Sequence, residues 1–355
     1  MGALERTLKD IFPQDTDYRV KAKARLDQLA LPHWALGDLM DLAIDLAGMT
    51  RSLTPPVGRK AIVTMAGDHG VTVEGVSKFP REVTPQMVVN FVNGGAGINA
   101  LARQAGASVF VVDMGVDADL RNLADAGKII NKKVGMGTAN IAAGPAMSPA
   151  MARRAVESGI DVAEMLADDY DIFGTGDMGI GNTTPSTAIA AVCTGRSAEE
   201  LTGRGTGLDD GQLQQKVKII ERILAVNQPD PKDGLDILAK VGGFEIGGIA
   251  GLIIGAAARR KPVLIDGFIS TAGALIAYKI EPFVRDYLIF AHRSVERGHR
   301  YMQEMLGCKQ PLLDLNFRLG EGTGAAVAMN LVEGAVAILT EVATFAEAAV
   351  AAADK

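Results

Sequence analysis

Cysteine and histidine are scarce in this chain. Its two cysteines, Cys193 and Cys308, lie far apart, and of its four histidines (His33, His69, His292 and His299) no two have i,i+4 spacing. A tetrahedral zinc site needs clustered thiolate and imidazole ligands, so no metal site is expected. Basic runs are equally short: the longest are "ARRK" at 258–261 and "NKK" at 131–133, and the formal net charge is −6. That excludes the basic patch on which nucleic-acid binding depends. A G-x-S-x-G nucleophile elbow is missing, and neither cysteine sits in a nucleophile motif. The N-terminal "MGALERTLKDIF" lacks the basic-then-apolar order of a signal peptide, so a reducing cytoplasm is expected. One stretch, "VGGFEIGGIAGLIIGAAA" at 241–258, has the length of a membrane span but carries Glu245 and six glycines. It is expected to be a buried, closely packed helix, with no membrane insertion.

What is present is apolar residue and glycine. Of 355 residues 48% are hydrophobic, only 5% are aromatic and 41 are glycine, a composition that suits a large α/β protein with a sizeable core. β-rich runs at 61–66, 108–114, 170–173, 262–266, 286–290 and 311–315 alternate with stretches of helical spacing. Six such runs predict a largely parallel sheet with helices on both faces. Each run is followed by glycine and polar residues: "GDHG", "GVD", "GTGDMGIGN", "GFIS", "AHRS" and "NFRLGEG". Ligands of open parallel sheets bind outside the carboxyl ends of the strands, so these exits should line one crevice. Residues 60–322 are expected to form the large α/β catalytic domain. Residues 1–59 and 323–355 read as helix and turn, and are expected to form a small helical domain from both chain ends.

The segment "FGTGDMGIGNTT" at 173–184 carries the clearest phosphate signal, because glycines let backbone N–H groups approach an anion at a helix start. A tight strand-to-helix turn needing glycine for its own geometry is the alternative. "TGRGTGLDD" at 202–210 has the same character and would clasp the other side of a ligand. His69 and His292 stand at strand exits, where hydrogen-bonded histidines can position loops. In "RLGEGTG" at 318–324 one acid, Glu321, is isolated between glycines after an apolar approach. From the residues alone it is either a catalytic carboxylate or a helix N-terminal charge.

"AGDHGV", "GDMGIGNTT", "GRGTGLDD", "IDGFISTAGAL", "AHRSVERGH" and above all "LDLNFRLGEGTGAA" together resemble the nicotinate-nucleotide:dimethylbenzimidazole phosphoribosyltransferase family, in order from about residue 60 to 330. That resemblance implies a Rossmann-like parallel sheet, a small helical domain and a homodimer with no cofactor. It also implies transfer of phosphoribose from nicotinate mononucleotide to 5,6-dimethylbenzimidazole or a related lower-ligand base, with inversion at the anomeric carbon. Glu321 matches the family's general base. Its approach through Leu315, Phe317 and Leu319 is expected to supply a slot for a flat ring and the desolvation that raises a carboxyl pKa.

The donor site implied by the resemblance comprises Gly174, Gly176, Asp177, Met178, Gly179, Ile180, Gly181, Asn182, Thr183, Gly203, Gly205, Lys216 and Ser294. Phe79, Gln86 and Leu319 are implied for the benzimidazole pocket. Asp177 stands where the family typically has glutamate, one methylene longer. Lys216 corresponds by spacing to a family lysine near the active site, the alternative being an exposed helix lysine.

A phosphoribosyl-pyrophosphate enzyme would show two adjacent acids after a strand and a Thr-rich loop, and that pattern is missing. A dehydrogenase would carry its glycine fingerprint after the first strand, where "MAGDHG" stands instead. A non-catalytic nucleotide sensor, or a different phosphoribosyltransferase on the same fold, remains as the alternative reading.

Overall fold

A computed structural model describes residues 2–205, 207 and 209–351 of the chain. Six parallel strands form the central sheet: β1 (Lys60–Gly67), β2 (Ala107–Gly115), β3 (Ile130–Asn131), β4 (Ile172–Met178), β5 (Val263–Ile265) and β6 (Leu288–Phe290), in the order β3-β2-β1-β4-β5-β6. The chain winds outward from β1 to one edge, then returns to β4 and winds to the other. The reversal falls between β1 and β4, and that is where such sheets open a crevice at their carboxyl ends. Every residue of β1 is buried, which explains why it reads as a continuous apolar run rather than an alternating one.

Two predicted strands differ. The run at 311–315 does not join this sheet; shifted to β8 (Leu313–Phe317), it pairs only with β7 (His292–Ser294) in a separate parallel pair. Asp314, Leu315 and Asn316 are exposed, and Asn316 has φ +57°, which breaks the pleat. Such a strand cannot be covered on both faces. The edge place is taken by β3, only two residues long. The run at 170–173 is the start of a longer strand, because β4 stays in register with β1 up to Ala66↔Met178. Gly174, Gly176, Asp177 and Met178 are therefore strand residues, and the loop itself shrinks to 179–182.

The apolar 241–258 stretch is the core helix Phe244–Ala258, buried along nearly its whole length. It lies against the helix Pro149–Leu166 so closely that a Cβ on Gly159 would stand 2.8 Å from the amide nitrogen of Leu252. Its glycines are there for that approach. The helix Thr323–Glu341 is long and apolar enough by composition to span a membrane, and half of that stretch is buried inside the fold. It packs on the helices Asp38–Thr50 and Gly97–Ala105 and on β4. Beyond it the two chain ends meet: Ala30 N donates to Ala343 O at 2.9 Å and Phe345 N to Gln28 O at 3.0 Å. Arg25 Nε adds a bond to Leu339 O at 2.8 Å.

Candidate active site

The turn that carries Glu321 has three successive left-handed residues, Gly320, Glu321 and Gly322, with φ of +83°, +64° and +97°. Glycine accepts this region freely, whereas for glutamate it costs on the order of 1–3 kcal/mol. Surrounding structure must therefore hold the acid in place. Thr64 Oγ1 donates to the Glu321 carbonyl at 2.9 Å. Gly176, the register partner of Thr64 across β1 and β4, lies directly beneath; a Cβ there would stand 2.7 Å from the Glu321 carbonyl carbon. The turn thus rests on the seam where the sheet reverses.

The Glu321 carboxylate is 6% exposed. Its Oε2 accepts from the amide of Ile98 at 3.1 Å, in the first turn of the helix Gly97–Ala105. Among the described residues Oε1 has no hydrogen-bond partner. Burial raises the Glu321 pKa above the usual carboxylate range; the Ile98 amide opposes the rise and the Asp266 charge adds to it. The apolar source of that desolvation is not the predicted one. Leu315 and Leu319 are 52% and 60% exposed, and Phe317 packs on the His292 ring at 5.5 Å between centroids. Leu315 is turned outward at the left-handed Asn316, while the backbone of Gly97 lies against the carboxylate, where a Cβ would stand 3.3 Å from Glu321 Oε2. Leu319 does stand beside the acid: its Cδ2 would lie 2.9 Å from a Cβ on Gly97.

Glu321 does not cap the helix that follows it. The N-cap, Gly322, makes no side-chain bond. Asp266, at the exit of β5, takes the helix amides instead: Gly322 N at 3.1 Å, Gly324 N at 2.6 Å and Ala325 N at 3.1 Å. His292 Nε2 lies 3.7 Å from the same carboxylate.

The other end of the crevice is built around Lys216. Far from being an exposed helix lysine, it is 1% exposed, and its Nζ donates to Thr183 Oγ1 at 2.7 Å. Burial brings its pKa down to about 8, partly countered by Glu296. Glu296 Oε1 accepts from Gly205 N at 3.0 Å, while Oε2 is buried with no partner among the described residues. A Cβ on Gly203 would fall on the same carboxylate. Ser294 is buried beside them. Its amide donates to His299 Nδ1 at 2.9 Å, and its Oγ accepts from Glu296 N at 3.3 Å. Burial holds the His299 pKa down at about 3, so the ring is neutral and Nε2–H faces Thr271 Oγ1 at 2.9 Å. Thr206 and Leu208 of the second glycine segment lie outside the described residues.

Between the two ends stands the β4 exit. Asp177 Oδ2 accepts from Asn182 Nδ2 at 2.9 Å, and Oδ1 is a buried atom without a partner among the described residues. Burial first, then the Asp266 charge, push the Asp177 pKa well above the usual range, which favours its protonated form. Ile180 N donates to Thr84 Oγ1 at 3.1 Å. Among the described residues the amides of Gly181 and Thr183, at the start of the helix Thr183–Thr194, meet no acceptor. The other glycines have packing reasons. Gly174 faces Ala325 and Met329 of the Thr323–Glu341 helix, and so lies inside the sheet packing rather than in an anion cradle. Gly179 lies against His69, where a Cβ would stand 3.3 Å from Nε2.

Phe79 is 52% exposed and Gln86 lies on the exposed face of the helix Val83–Val92; no hydrogen bond or ring contact joins either to Glu321 among the described residues. His69 is a loop-positioning histidine, 1% exposed, with Nε2 2.7 Å from Glu245 Oε1. Sequence reading missed Asp266, Glu296, Thr64 and Ile98. Asp266 had a signal, since "ID" before "GFIS" is an acid at a strand exit; Thr64 and Ile98 had none.

The chain matches the family model described as "Phosphoribosyltransferase" over residues 11–350. It is 72% identical over 355 residues to the nicotinate-nucleotide--dimethylbenzimidazole phosphoribosyltransferase of Desulfotalea psychrophila, covering all of both chains. To the protein of that name from Syntrophotalea carbinolica it is 61% identical over 350 residues, 99% of each. Among solved structures, CobT from Thermus thermophilus superposes with a TM-score of 0.90 at 44% identity, covering 95% of this chain and 100% of that one. With matches of this identity running end to end through the crevice just described, the chain belongs to the nicotinate-nucleotide--dimethylbenzimidazole phosphoribosyltransferase family and is a pentosyl-transferring enzyme.

Proposed function

We propose that the chain transfers the 5-phosphoribosyl group of nicotinate mononucleotide to 5,6-dimethylbenzimidazole or a related lower-ligand base, with Glu321 as general base. The products are α-ribazole 5′-phosphate and nicotinate. The substrates are those in the names of its relatives. The observation that carries the catalytic assignment is the Glu321 carboxylate itself: buried, raised in pKa, fixed through one oxygen and unpartnered at the other.

The chemistry needs one such group. As a benzimidazole nitrogen forms its bond to the anomeric carbon, the carbon's bond to the pyridinium nitrogen breaks and its electron pair leaves with nicotinate. The ring nitrogen departs neutral, so no general acid is required. The proton on the other benzimidazole nitrogen passes to Glu321; without that transfer the product would stay a cationic benzimidazolium. Attack opposite the leaving ring inverts the centre from β to α. Positioning and transition-state electrostatics supply the rest of the acceleration.

The free amides of Gly181 and Thr183, the Lys216 ammonium and Ser294 support a donor phosphate or carboxylate site. Asp177, held toward its protonated form, is suited to donate to a ribose hydroxyl. For the flat base we keep Phe79, Gln86 and Leu319, of which Leu319 stands beside Glu321 at Gly97. We take the working unit to be a cytoplasmic homodimer. Residues 60–322 carry the chemistry, and the chain ends form a helical domain. The exposed apolar Phe79, Leu315 and Leu319 support a second copy as the cover.

The test is turnover. Enzyme with nicotinate mononucleotide and a mixture of benzimidazoles, purines and phenols should release nicotinate and form α-linked nucleotide in proportion to base preference. Nucleotide binding with no nicotinate released would instead establish a sensor.

A further inference from the structure

Two helix N-termini converge on Glu321, its own (Thr323–Glu341) and that of Gly97–Ala105, and each presents amides that a carboxylate could take. An acid two residues before the first residue of a helix ordinarily turns to its own helix. Glu321 does not, because Asp266 already occupies those amides from across the crevice, bonded to Gly322, Gly324 and Ala325. Space is cut to fit this arrangement: a Cβ on Gly324 would come within 2.8 Å of Asp266 Oδ1 and 2.9 Å of His292 Nε2. Asp266 itself is fully buried and makes no contact with solvent that would give it another task.

We propose that Asp266 is the positioning residue of the transfer reaction: by capping the Thr323–Glu341 helix in place of Glu321, it leaves the Glu321 carboxylate bound to Ile98 with one oxygen open to take a proton. The inference rests on Glu321 being the base. It adds a second effect through charge. The titratable and charged groups around the turn are Asp177 from β4, Asp266 beyond β5, His292 from β7 and Arg318 on the approach from β8. Of these, Asp266 is the one whose negative charge raises the Glu321 pKa. Its own carboxyl is pushed up by burial and drawn back by His292 and the three amides.

Asp266→Asn separates this role from simple helix capping. Asparagine can still accept two amides through Oδ1, but its NH₂ would face the Gly322 N–H, leaving that amide open to compete for Glu321, and the charge is gone. Expected is a loss in kcat of about a hundredfold, the scale of a displacement of about 1 Å, with KM for nicotinate mononucleotide within about twofold. The acid limb of the pH profile should move to lower pH, because removing a negative neighbour makes Glu321 easier to ionise. In the double variant with Glu321→Gln, Asp266→Asn should cost nothing further. An unmoved acid limb, or losses that multiply in the double variant, would overturn the proposal and leave Asp266 as a cap alone.

Should Asp266→Asn fail to fold, Gly324→Ala crowds the His292 ring, most closely at its Cδ2, and the Asp266 carboxylate, 2.8 Å from Oδ1, and so displaces the pair without removing the Asp266 charge. It should then lower kcat with the acid limb in place, and wild-type kcat in that variant would be equally contrary. Full activity in Glu321→Gln by itself is a different failure, that of the base assignment.

Discussion

Gly176→Ala tests whether the seam between β1 and β4 positions the acid. The added Cβ would stand 2.7 Å from the Glu321 carbonyl carbon and 2.9 Å from Thr64 Oγ1. Carbon atoms rest at about 3.5 Å or more, so the Glu321 backbone must retreat by roughly 0.8 Å. The Thr64 bond that helps to hold Glu321 in a left-handed conformation is then lost, for about 1 kcal/mol, and overpacking adds about 1–3 kcal/mol. A displacement of this size costs activity on the order of a hundredfold. The assay is steady-state nicotinate release together with a thermal melt. Gly334→Ala is the control: that glycine is inside the Thr323–Glu341 helix with open space where its Cβ would go, so the change should stabilise by about 0.5–1 kcal/mol and leave kcat alone. A folded Gly176→Ala enzyme with wild-type kcat would show that the seam does not set the position of the acid.

Lys216→Met should raise KM for the nucleotide far more than it lowers kcat, and wild-type kcat/KM should fall as pH rises through about 8, where the folded-state ammonium loses its proton; a flat profile across that range would take the charge out of donor binding. Because that pKa is depressed below the unfolded value, the same group makes the fold more stable, not less, as pH climbs from about 8 toward 10, which urea titrations at several pH values can follow. Activity with nicotinate mononucleotide should persist in excess chelator and vanish when phosphoribosyl pyrophosphate with magnesium replaces it, since a neutral leaving group needs no cation to carry its charge. Light scattering at micromolar concentration should give twice the mass of the chain, and a stable monomer would contradict the homodimer.

Burial on both faces is what made most of the sheet legible. β1 along its whole length and β2 from Val111 onward are buried and carry continuous apolar runs, and both stand where periodicity placed them. β3, two residues long, leaves no pattern to read. β8 has strand-like composition and a surface location, and composition alone cannot tell an edge pair from a sheet member. β4 was read too short because glycines lower strand propensity locally, while the pairing with β1 that overrides it is set by residues more than a hundred positions away.

Glu321 was visible for a local reason: three left-handed residues in a row require glycine wherever the chemistry does not require a side chain. The burial of Lys216 had a signal too, since it falls on the stripe formed by Ile219, Ile220 and Ile223 at helical spacing. Asp266 shows the limit. Its work is done on a helix that starts 57 residues later, and no spacing in the chain announces a cap delivered across the crevice.

The proposed mechanism turns on one carboxylate accepting the benzimidazole proton, and Glu321→Gln removes that acceptor alone. The isosteric amide should preserve the fold and nucleotide binding while nicotinate release at neutral pH falls by about two to four orders of magnitude, the range for loss of a general base. Release at near wild-type rate from that variant would rule Glu321 out as the base, and with it the mechanism, because no other described group has been given the proton.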